Sequence, residues 1–136
     1  MDVFTIRVYG LLINDKKEIL LSDEEYNGMS FTKFPGGGLQ FGEGTIDCLK
    51  REFIEEANLK VEMLSHFYTT DFFQPSAFNN EKQVMSIYYR IKCESTPELF
   101  PQNGSPHFHW KKLKELSVND VTFAIDKKVV TMLLEL

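Results

Sequence analysis

Residues 36–59 read GGGLQFGEGTIDCLKREFIEEANL, a glycine-rich run that leads directly into a pattern with helical periodicity. We predict a helix over Thr45–Ala57, in which Glu52, Glu55 and Glu56 lie at positions i, i+3 and i+4. Three carboxylates at this spacing share one face and repel one another in an isolated helix. Hard oxygen donors at this density suit Mg²⁺ or Mn²⁺. A solvated acidic face explains the spacing alone equally well.

A second side of the predicted helix is apolar. Ile46, Leu49, Phe53 and Ala57 recur at helical spacing, so they form a stripe that can pack on a sheet. The helix would then bury one side and present its carboxylates beside it.

The run before the helix contains more glycine than a simple strand-to-helix turn requires. Glycine permits positive φ angles and a close approach of the backbone to a ligand. Glu43 lies at the mouth of the helix, where a carboxylate favours the positive end of the dipole. The combination favours a ligand-binding loop over a merely solvated face. The five glycines, all within nine residues, are Gly36, Gly37, Gly38, Gly42 and Gly44.

The stretch resembles the Nudix box of the Nudix hydrolases, written G-x5-E-x7-R-E-U-x-E-E-x-G-U, where U is apolar. Asn58 stands where the family has its second glycine. Asparagine is the next most suitable residue for the left-handed conformation after a helix, so we expect the helix cap to be kept. The specified positions that match in register are Gly37, Glu43, Arg51, Glu52, Phe53, Glu55, Glu56 and Leu59.

The resemblance implies an α/β fold, a Nudix-type α/β/α sandwich with a mixed β-sheet, forming a single domain over residues 1–136. It also implies a metal-dependent pyrophosphohydrolase that cleaves a nucleoside diphosphate linked to another moiety. The expected substrate is a nucleoside triphosphate or nucleotide derivative. Mg²⁺ or Mn²⁺ is the expected cofactor.

Site residues follow from the same resemblance, position by position. Glu52, Glu55 and Glu56 match the acids that bind metal, and the backbone carbonyl of Gly37 matches a further ligand. Arg51 matches a residue that orients the acids through salt bridges, which its planar fork allows. Glu43 matches a supporting acid in that network.

The general base has two candidate positions in the family. One is the glutamate of the box's R-E step, here Glu52, and the other lies in a later loop. That loop offers Asp71 and Glu81, of which Glu81 directly precedes a predicted strand and could reach back to the metals. A solvated turn residue is the alternative explanation of Glu81.

Substrate contacts are predicted at Arg7, Phe73 and Phe78. Arg7 is a charge within an apolar strand and could contact a phosphate or a base, unless it simply faces solvent. Phe73 and Phe78 lie in a loop expected over the site, where they could stack on a base or pack beneath the loop.

Two rival functions stay open. Pro75 follows the box at a spacing that resembles ADP-ribose pyrophosphatases, so ADP-ribose or a nucleotide-sugar is an alternative substrate. A non-catalytic nucleotide-sensing module is the second rival, but such a module is expected to lose acids of the box, and they are all present.

Composition excludes several other classes of protein. The chain has 136 residues, of which 43% are hydrophobic and 26% charged, which suits one globular domain. A net charge of −5 without a basic run argues against binding a nucleic acid polymer. No apolar run is long enough for a membrane span. Cys48 and Cys93 lack metal-binding spacing, so we expect reduced thiols and a cytoplasmic protein. Many family members dimerise, which makes a homodimer one expectation.

The order of elements is predicted from alternation, turn residues and helical periodicity. Two strands, Val3 to Ile13 and Glu18 to Ser22, should form a hairpin, followed by a loop from Asp23 to Ser30. Asp126 is expected to cap a final helix that reaches Leu136. The remaining predictions are strands at Phe31 to Phe34, Val61 to Thr70, Gln83 to Cys93 and Phe108 to Lys111, a connection from Glu94 to Ser105, and a turn or short helix at Leu113 to Leu116.

Overall fold

The computed structural model describes residues 3–94 and 105–136. Most of the predicted connection from Glu94 to Ser105 therefore lies outside the described residues. Short 3-10 helices occupy Leu113–Glu115 and Val118–Asp120. The first lies where a turn or short helix was predicted. Among the described residues, no helix has the combination of length and apolar character needed to cross a bilayer. The strands and α-helices are β1 (Val3–Leu12), β2 (Glu18–Tyr26), β3 (Met29–Lys33), β4 (Gly36–Gly38), α1 (Thr45–Ala57), β5 (Glu62–Thr69), β6 (Lys82–Lys92), β7 (His107–Lys112) and α2 (Ala124–Leu134).

The strands form two sheets. One has the order β4-β1-β6-β5, with β1 and β6 parallel and the other neighbours antiparallel, so it is the mixed sheet that was expected. The second sheet has the antiparallel order β3-β2-β7. Val8 lies opposite Gly37 in the first sheet, which places the glycine run at an edge beside β1.

The helices pack on opposite sides of the sheets. Neighbouring residues of a strand point to opposite faces, and β1 uses both faces: Val8 packs towards α1, and Tyr9 packs towards α2. The predicted α/β/α sandwich is confirmed. From the helices, the α1 side is filled by Cys48, Leu49 and Phe53, and the α2 side by Ile125, Val129, Val130 and Leu133.

The predicted hairpin between the first two strands is wrong. The turn exists, because the Asn14 side chain accepts from the backbone N–H groups of Lys16 and Glu18. A single bridge, Ile13 to Ile19, joins the strands beyond it. β1 then pairs within the first sheet and β2 within the second. The reason is burial: Ile19 of β2 packs with Tyr9 of β1 in the cluster on the α2 side, and a local turn cannot reveal that the two strands belong to different sheets.

The predicted loop from Asp23 to Ser30 is also wrong. β2 continues to Tyr26 and turns at Asn27 and Gly28 into β3. Both turn residues have positive φ angles, 50° and 75°. An Asn-Gly pair is the strongest short-range signal for a two-residue hairpin, so the sequence contained the information.

Both predicted helices exist, with one correction at the second. α1 has the predicted bounds, and Asn58 after it is left-handed with φ 53° and donates its N–H to the carbonyl of Ile54. The expected cap is therefore kept without glycine. Phe123, and not Asp126, is the N-cap of α2. Asp126 is buried inside the first turn, where its carboxylate accepts a hydrogen bond from Tyr88.

Candidate active site

Arg51 organises the acids of α1. Its guanidinium binds both carboxylate oxygens of Glu43, at 3.0 and 2.7 Å. One further nitrogen binds Glu52 and Glu55, each at 3.1 Å. The side chain also donates to the carbonyl of Gly38 at 3.2 Å. One arginine thus ties the helix to the glycine run, the geometry that the planar fork permits.

The charges of this network stabilise one another. Hydrogen bonding to Arg51 lowers the pKa of Glu43 to about 2, helped by the backbone N–H of Gln40. Hydrogen bonding to Glu43 in turn raises the pKa of Arg51, whose charge is permanent at any ordinary pH. Glu43 is therefore a fixed anion that holds the arginine in place.

The Glu52 carboxylate lies directly against the backbone of Gly37. A side-chain carbon built at Gly37 would overlap the carboxyl group, so only glycine leaves room for this approach. The Glu52 side chain is 12% exposed, and Arg51 engages its Oε1. The Glu52 carboxylate and the backbone of Gly37 are thereby brought together.

Glu56 lies on the other side of the network. In the described part of the chain, no hydrogen bond or ion pair engages its carboxylate. Loss of hydration is the main cause that raises its pKa to about 7; the positive charge of Lys33 opposes the rise, and the negative charges of Glu52 and Glu24 add to it. A positive charge bound here would offset the like charges of Glu52 and Glu24 at this carboxylate.

These residues suit a divalent cation by their donor chemistry. All the donors are oxygens, which Mg²⁺ and Mn²⁺ prefer, and the lack of a side chain at Gly37 lets the Glu52 carboxylate approach the backbone there. The acids are not gathered as a finished cage: among the described residues, no three His, Cys, Asp or Glu side chains are grouped to hold an ion. Glu52 and Glu55 turn towards Arg51 instead, so the ligand roles stay predictions.

A cavity of about 640 Å³ has Arg7, Glu24 and Lys33 in its wall. Its walls come from β1, the β2–β3 hairpin, the loop before β6, β6 itself and the start of α2. One end is aromatic, since Phe78 contacts the rings of Tyr26, Phe31 and Phe123 at centroid distances of 5.0–6.0 Å. A flat ring would find stacking partners there.

The opposite part of the cavity is polar and buried. Asp126 is 3% exposed and accepts from the Tyr88 hydroxyl at 2.5 Å. Burial raises the pKa of Asp126 to about 6, against the lowering effects of that hydrogen bond and of Lys33 and Arg7. Lys33 is 4% exposed and pairs with Glu24 at 2.9 Å. Sequence reasoning missed these side chains, although a lysine and an aspartate amid apolar residues were visible signals.

The structure separates the predicted substrate contacts. Arg7 and Phe78 line the cavity, and Arg7 donates from Nε to the hydroxyl of Tyr9 at 2.5 Å. Phe73 is 70% exposed and is absent from the described lining of the cavity. Glu81 lies in the turn before β6, where its backbone N–H donates to Asn79. The role of Glu81 as a base stays a prediction.

Arg51 thus joins the glycine run to the acidic helix α1, and the cavity with its aromatic end lies beside β1. The family model described as NUDIX domain matches residues 3–133. The chain therefore belongs to the NUDIX family. The resemblance drawn from the motif is confirmed, and so is the predicted class of hydrolase acting on phosphorus-containing anhydrides.

Relatives and solved structures agree with this membership. The chain is 26% identical over 109 residues to an 8-oxo-dGTP diphosphatase from Buchnera aphidicola subsp. Acyrthosiphon pisum (strain APS), covering 80% of this chain and 82% of the relative. A MutT protein from Methanosarcina mazei Go1 superposes with a TM-score of 0.76 at 18% identity, covering 97% and 94% of the two chains. The dihydroneopterin triphosphate pyrophosphohydrolase of E. coli gives 0.75 at 11% identity, covering 98% and 99%.

Proposed function

We propose that residues 1–136 form a single catalytic domain, a divalent-metal-dependent pyrophosphohydrolase that cleaves a nucleoside triphosphate or a similar small nucleotide. The base would occupy the cavity, and the polyphosphate would lie along the glycine run and α1. The proposal includes neither a nucleic acid polymer nor a membrane as a partner. The free thiols of Cys48 and Cys93 support the expected cytoplasmic location.

The observation that carries this proposal is that the cavity wall adjoins the glycine run: Lys33 lines the cavity and binds the Gly36 carbonyl, and Glu52 lies against Gly37. Lys33, Glu24 and Arg7 all line the cavity, and all three act electrostatically on Glu56. Arg7 also lies beside Gly38, at 3.7 Å from the position of a Cβ atom there. A ligand with its ring in the cavity would therefore place its phosphates at the acids and at Arg7.

The roles proposed for these groups come from the family pattern. Gly37, Glu52, Glu55 and Glu56 would hold Mg²⁺ or Mn²⁺, which supplies Lewis-acid stabilisation of the charge that develops on the phosphoryl oxygens. Arg51 fixes the orientation of Glu52 and Glu55.

Other residues would take up the proton and bind the nucleotide. Glu52 or Glu81 accepts the proton of the attacking water. Arg7 binds phosphate through the donors that its bond to Tyr9 leaves available. Phe78 offers a ring for stacking.

The cavity floor supports a purine or pterin substrate. The Asp126 carboxylate is bound at Oδ1 by Tyr88 and is an acceptor for N–H groups of a ligand. Guanine and dihydroneopterin share a ring with two adjacent N–H donors, which is the pattern that a carboxylate accepts in pairs. The relative named for 8-oxo-dGTP and the structural neighbour named for dihydroneopterin triphosphate act on substrates of this kind. We therefore place guanine nucleotides first among the substrates.

A hydrolysis screen tests the proposal. Wild-type protein with Mg²⁺ or Mn²⁺ is incubated with dGTP, 8-oxo-dGTP, the other nucleoside triphosphates, ADP-ribose and a nucleotide-sugar, and released phosphate or pyrophosphate is measured. We expect metal-dependent hydrolysis, abolished by EDTA, with the strongest rate on a guanine triphosphate. Preference for ADP-ribose or the nucleotide-sugar would favour the pyrophosphatase alternative. Binding of nucleotides without hydrolysis of any of them would favour the sensing module and overturn the proposal.

A further inference from the structure

Lys33 is a buried cation whose three N–H groups all have acceptors. Its ammonium lies 2.9 Å from Glu24 Oε2 and 3.3 Å from each of the carbonyl oxygens of Phe34 and Gly36. The side chain also lies over the ring of Tyr9, 5.2 Å from its centre. An ammonium has three donors, so this one is fully used within the protein. Lys33 therefore has a structural role: it fixes the backbone carbonyls of Phe34 and Gly36 relative to Glu24.

The segment that Lys33 binds connects one sheet to the other. β3 ends at Lys33 in one sheet, and β4 begins at Gly36 in the other. The carbonyl of Pro35, between the two carbonyls bound by Lys33, accepts from the N–H of Gly10 at 2.9 Å. Three successive carbonyls are therefore fixed, two by one lysine.

This connection leads directly into the glycine run at β4. Gly36 is bound by Lys33 and Gly38 is bound by Arg51, so the two cations hold the residues on either side of Gly37. Gly37 is the residue against which the Glu52 carboxylate lies. A shift of the Gly36 carbonyl would move Gly37 relative to that carboxylate.

We propose that Lys33 is a positioning residue that sets the place of Gly37 against Glu52 and links this loop, through Glu24, to the wall of the nucleotide cavity. The inference rests on the proposed function for its effect on turnover. The three N–H donors of Lys33 are all taken by protein acceptors, so none is left for a substrate, and Lys33 acts through the backbone of the glycine run. Its loss should therefore impair the chemical step more than substrate binding.

The first test replaces Lys33 by methionine, which keeps the length of the side chain and removes the ammonium. Lys111→Met is the matched control, because Lys111 is a partly buried lysine in the β3-β2-β7 sheet whose ion pair, with Asp120 at 3.5 Å, lies outside the site. We expect Lys33→Met to lower kcat roughly 10- to 100-fold, the scale on which small displacements at a reacting centre act. KM for the nucleotide should stay within about threefold of wild type, since Lys33 has no N–H donor left to bind the nucleotide. Lys111→Met should leave both constants at the wild-type value.

A second test uses a readout that needs no activity. Hydrogen exchange is measured at two amides. The N–H of Gly10 donates to Pro35, just before the glycine run, and the N–H of Leu39, just after the run, donates to Ile6. Exchange at both should quicken in Lys33→Met and stay unchanged in Lys111→Met. Lys33→Arg, which keeps a charged donor for Glu24 and the carbonyls, should recover part of kcat and slow the exchange again.

The outcomes separate this inference from the proposed function. In an active wild type, an unchanged kcat in Lys33→Met, or a loss confined to KM, would overturn the positioning role. If the wild-type protein hydrolyses nothing, the proposed function fails, and the exchange rates alone decide whether Lys33 holds the loop. Unchanged exchange at both amides would then overturn the inference.

Discussion

Arg51 and Lys33 bind carbonyls at the two ends of β4, but from different sides of the molecule. Arg51 reaches Gly38 from α1 and binds three carboxylates, with its side chain 21% exposed. Lys33 reaches Gly36 from the cavity and binds one carboxylate, with its side chain 5% exposed. The acidic side is thus held by an open network of charges, and the cavity side by one buried ion pair. Both sides meet at Gly37.

The difference teaches which interactions a sequence displays. The partners of Arg51 follow from helix spacing and a fixed motif. The partner of Lys33 follows from the pairing of β2 with β3, in which Lys33 lies opposite Ser22. Because the β2–β3 hairpin was predicted as a loop, the ion pair of Lys33 with Glu24 could not be foreseen.

The largest effect is expected from Glu56→Gln, at the boundary between the two sides. The amide removes the charge of a carboxylate that has no hydrogen-bond partner among the described residues. Loss of groups that only orient a metal ligand costs about 10- to 100-fold, so loss of the ligand itself should exceed that. We expect kcat/KM to fall by more than about 100-fold, measured on the best substrate with Mg²⁺ and Mn²⁺. Wild-type turnover in this variant with an unchanged melting temperature would remove Glu56 from the site.

Arg51→Lys breaks the acidic side alone. Lysine keeps the charge and loses the planar fork that binds Glu43 twice. We expect kcat to fall about 10- to 100-fold, as for other residues that orient ligands. Steady-state kinetics at saturating metal measures this loss. Full activity in the variant would show that a point charge is sufficient at this position.

Asp126→Asn tests the buried floor of the cavity through the pH dependence of stability. The folded pKa of Asp126 is raised to about 6, above the unfolded value of about 3.9. The folded protein therefore binds this proton more tightly, so stability is highest below the unfolded pKa and falls as pH rises through 6. The Asp126→Asn variant has an amide that does not titrate, so its stability does not fall in this way.

The measurement is urea unfolding of both proteins between pH 4 and pH 7. From pH 4 to pH 7, the free energy of unfolding of the variant should rise by about 2–3 kcal/mol relative to that of the wild type. The reason is that each tenfold difference in proton affinity between the folded and unfolded states corresponds to about 1.4 kcal/mol. A constant difference between the two proteins would mean that the folded and unfolded states bind this proton equally, which would contradict the raised pKa of Asp126.

The smallest effect is expected from Phe78→Ala. This variant tests which of the two phenylalanines predicted to contact the substrate does so. Phe78 lines the cavity and Phe73 is exposed, so Phe73→Ala is the natural control. A lost stacking contact of about 1 kcal/mol raises KM about fivefold. Equal KM values in both variants would contradict the assignment of the cavity to the base.

Much of the acidic side could be predicted from sequence. The bounds of α1 and the left-handed Asn58 follow from periodicity and cap chemistry, because both depend on residues close in the chain. The separation into two sheets and the burial of Asp126 depend on contacts between distant segments. Tyr88 and Asp126, for example, are 38 residues apart. Such contacts leave no local pattern.

The most direct test of the central claim is a Mn²⁺ titration followed by electron paramagnetic resonance, with wild-type protein, Glu56→Gln and Glu62→Gln. Glu62 lies on β5 in a surface pair with Lys92, outside the site, and is the matched control. We predict that wild type and Glu62→Gln bind Mn²⁺ with equal affinity and that Glu56→Gln binds at least about tenfold more weakly. Equal affinity in all three proteins would contradict the placement of the metal at the acids of α1.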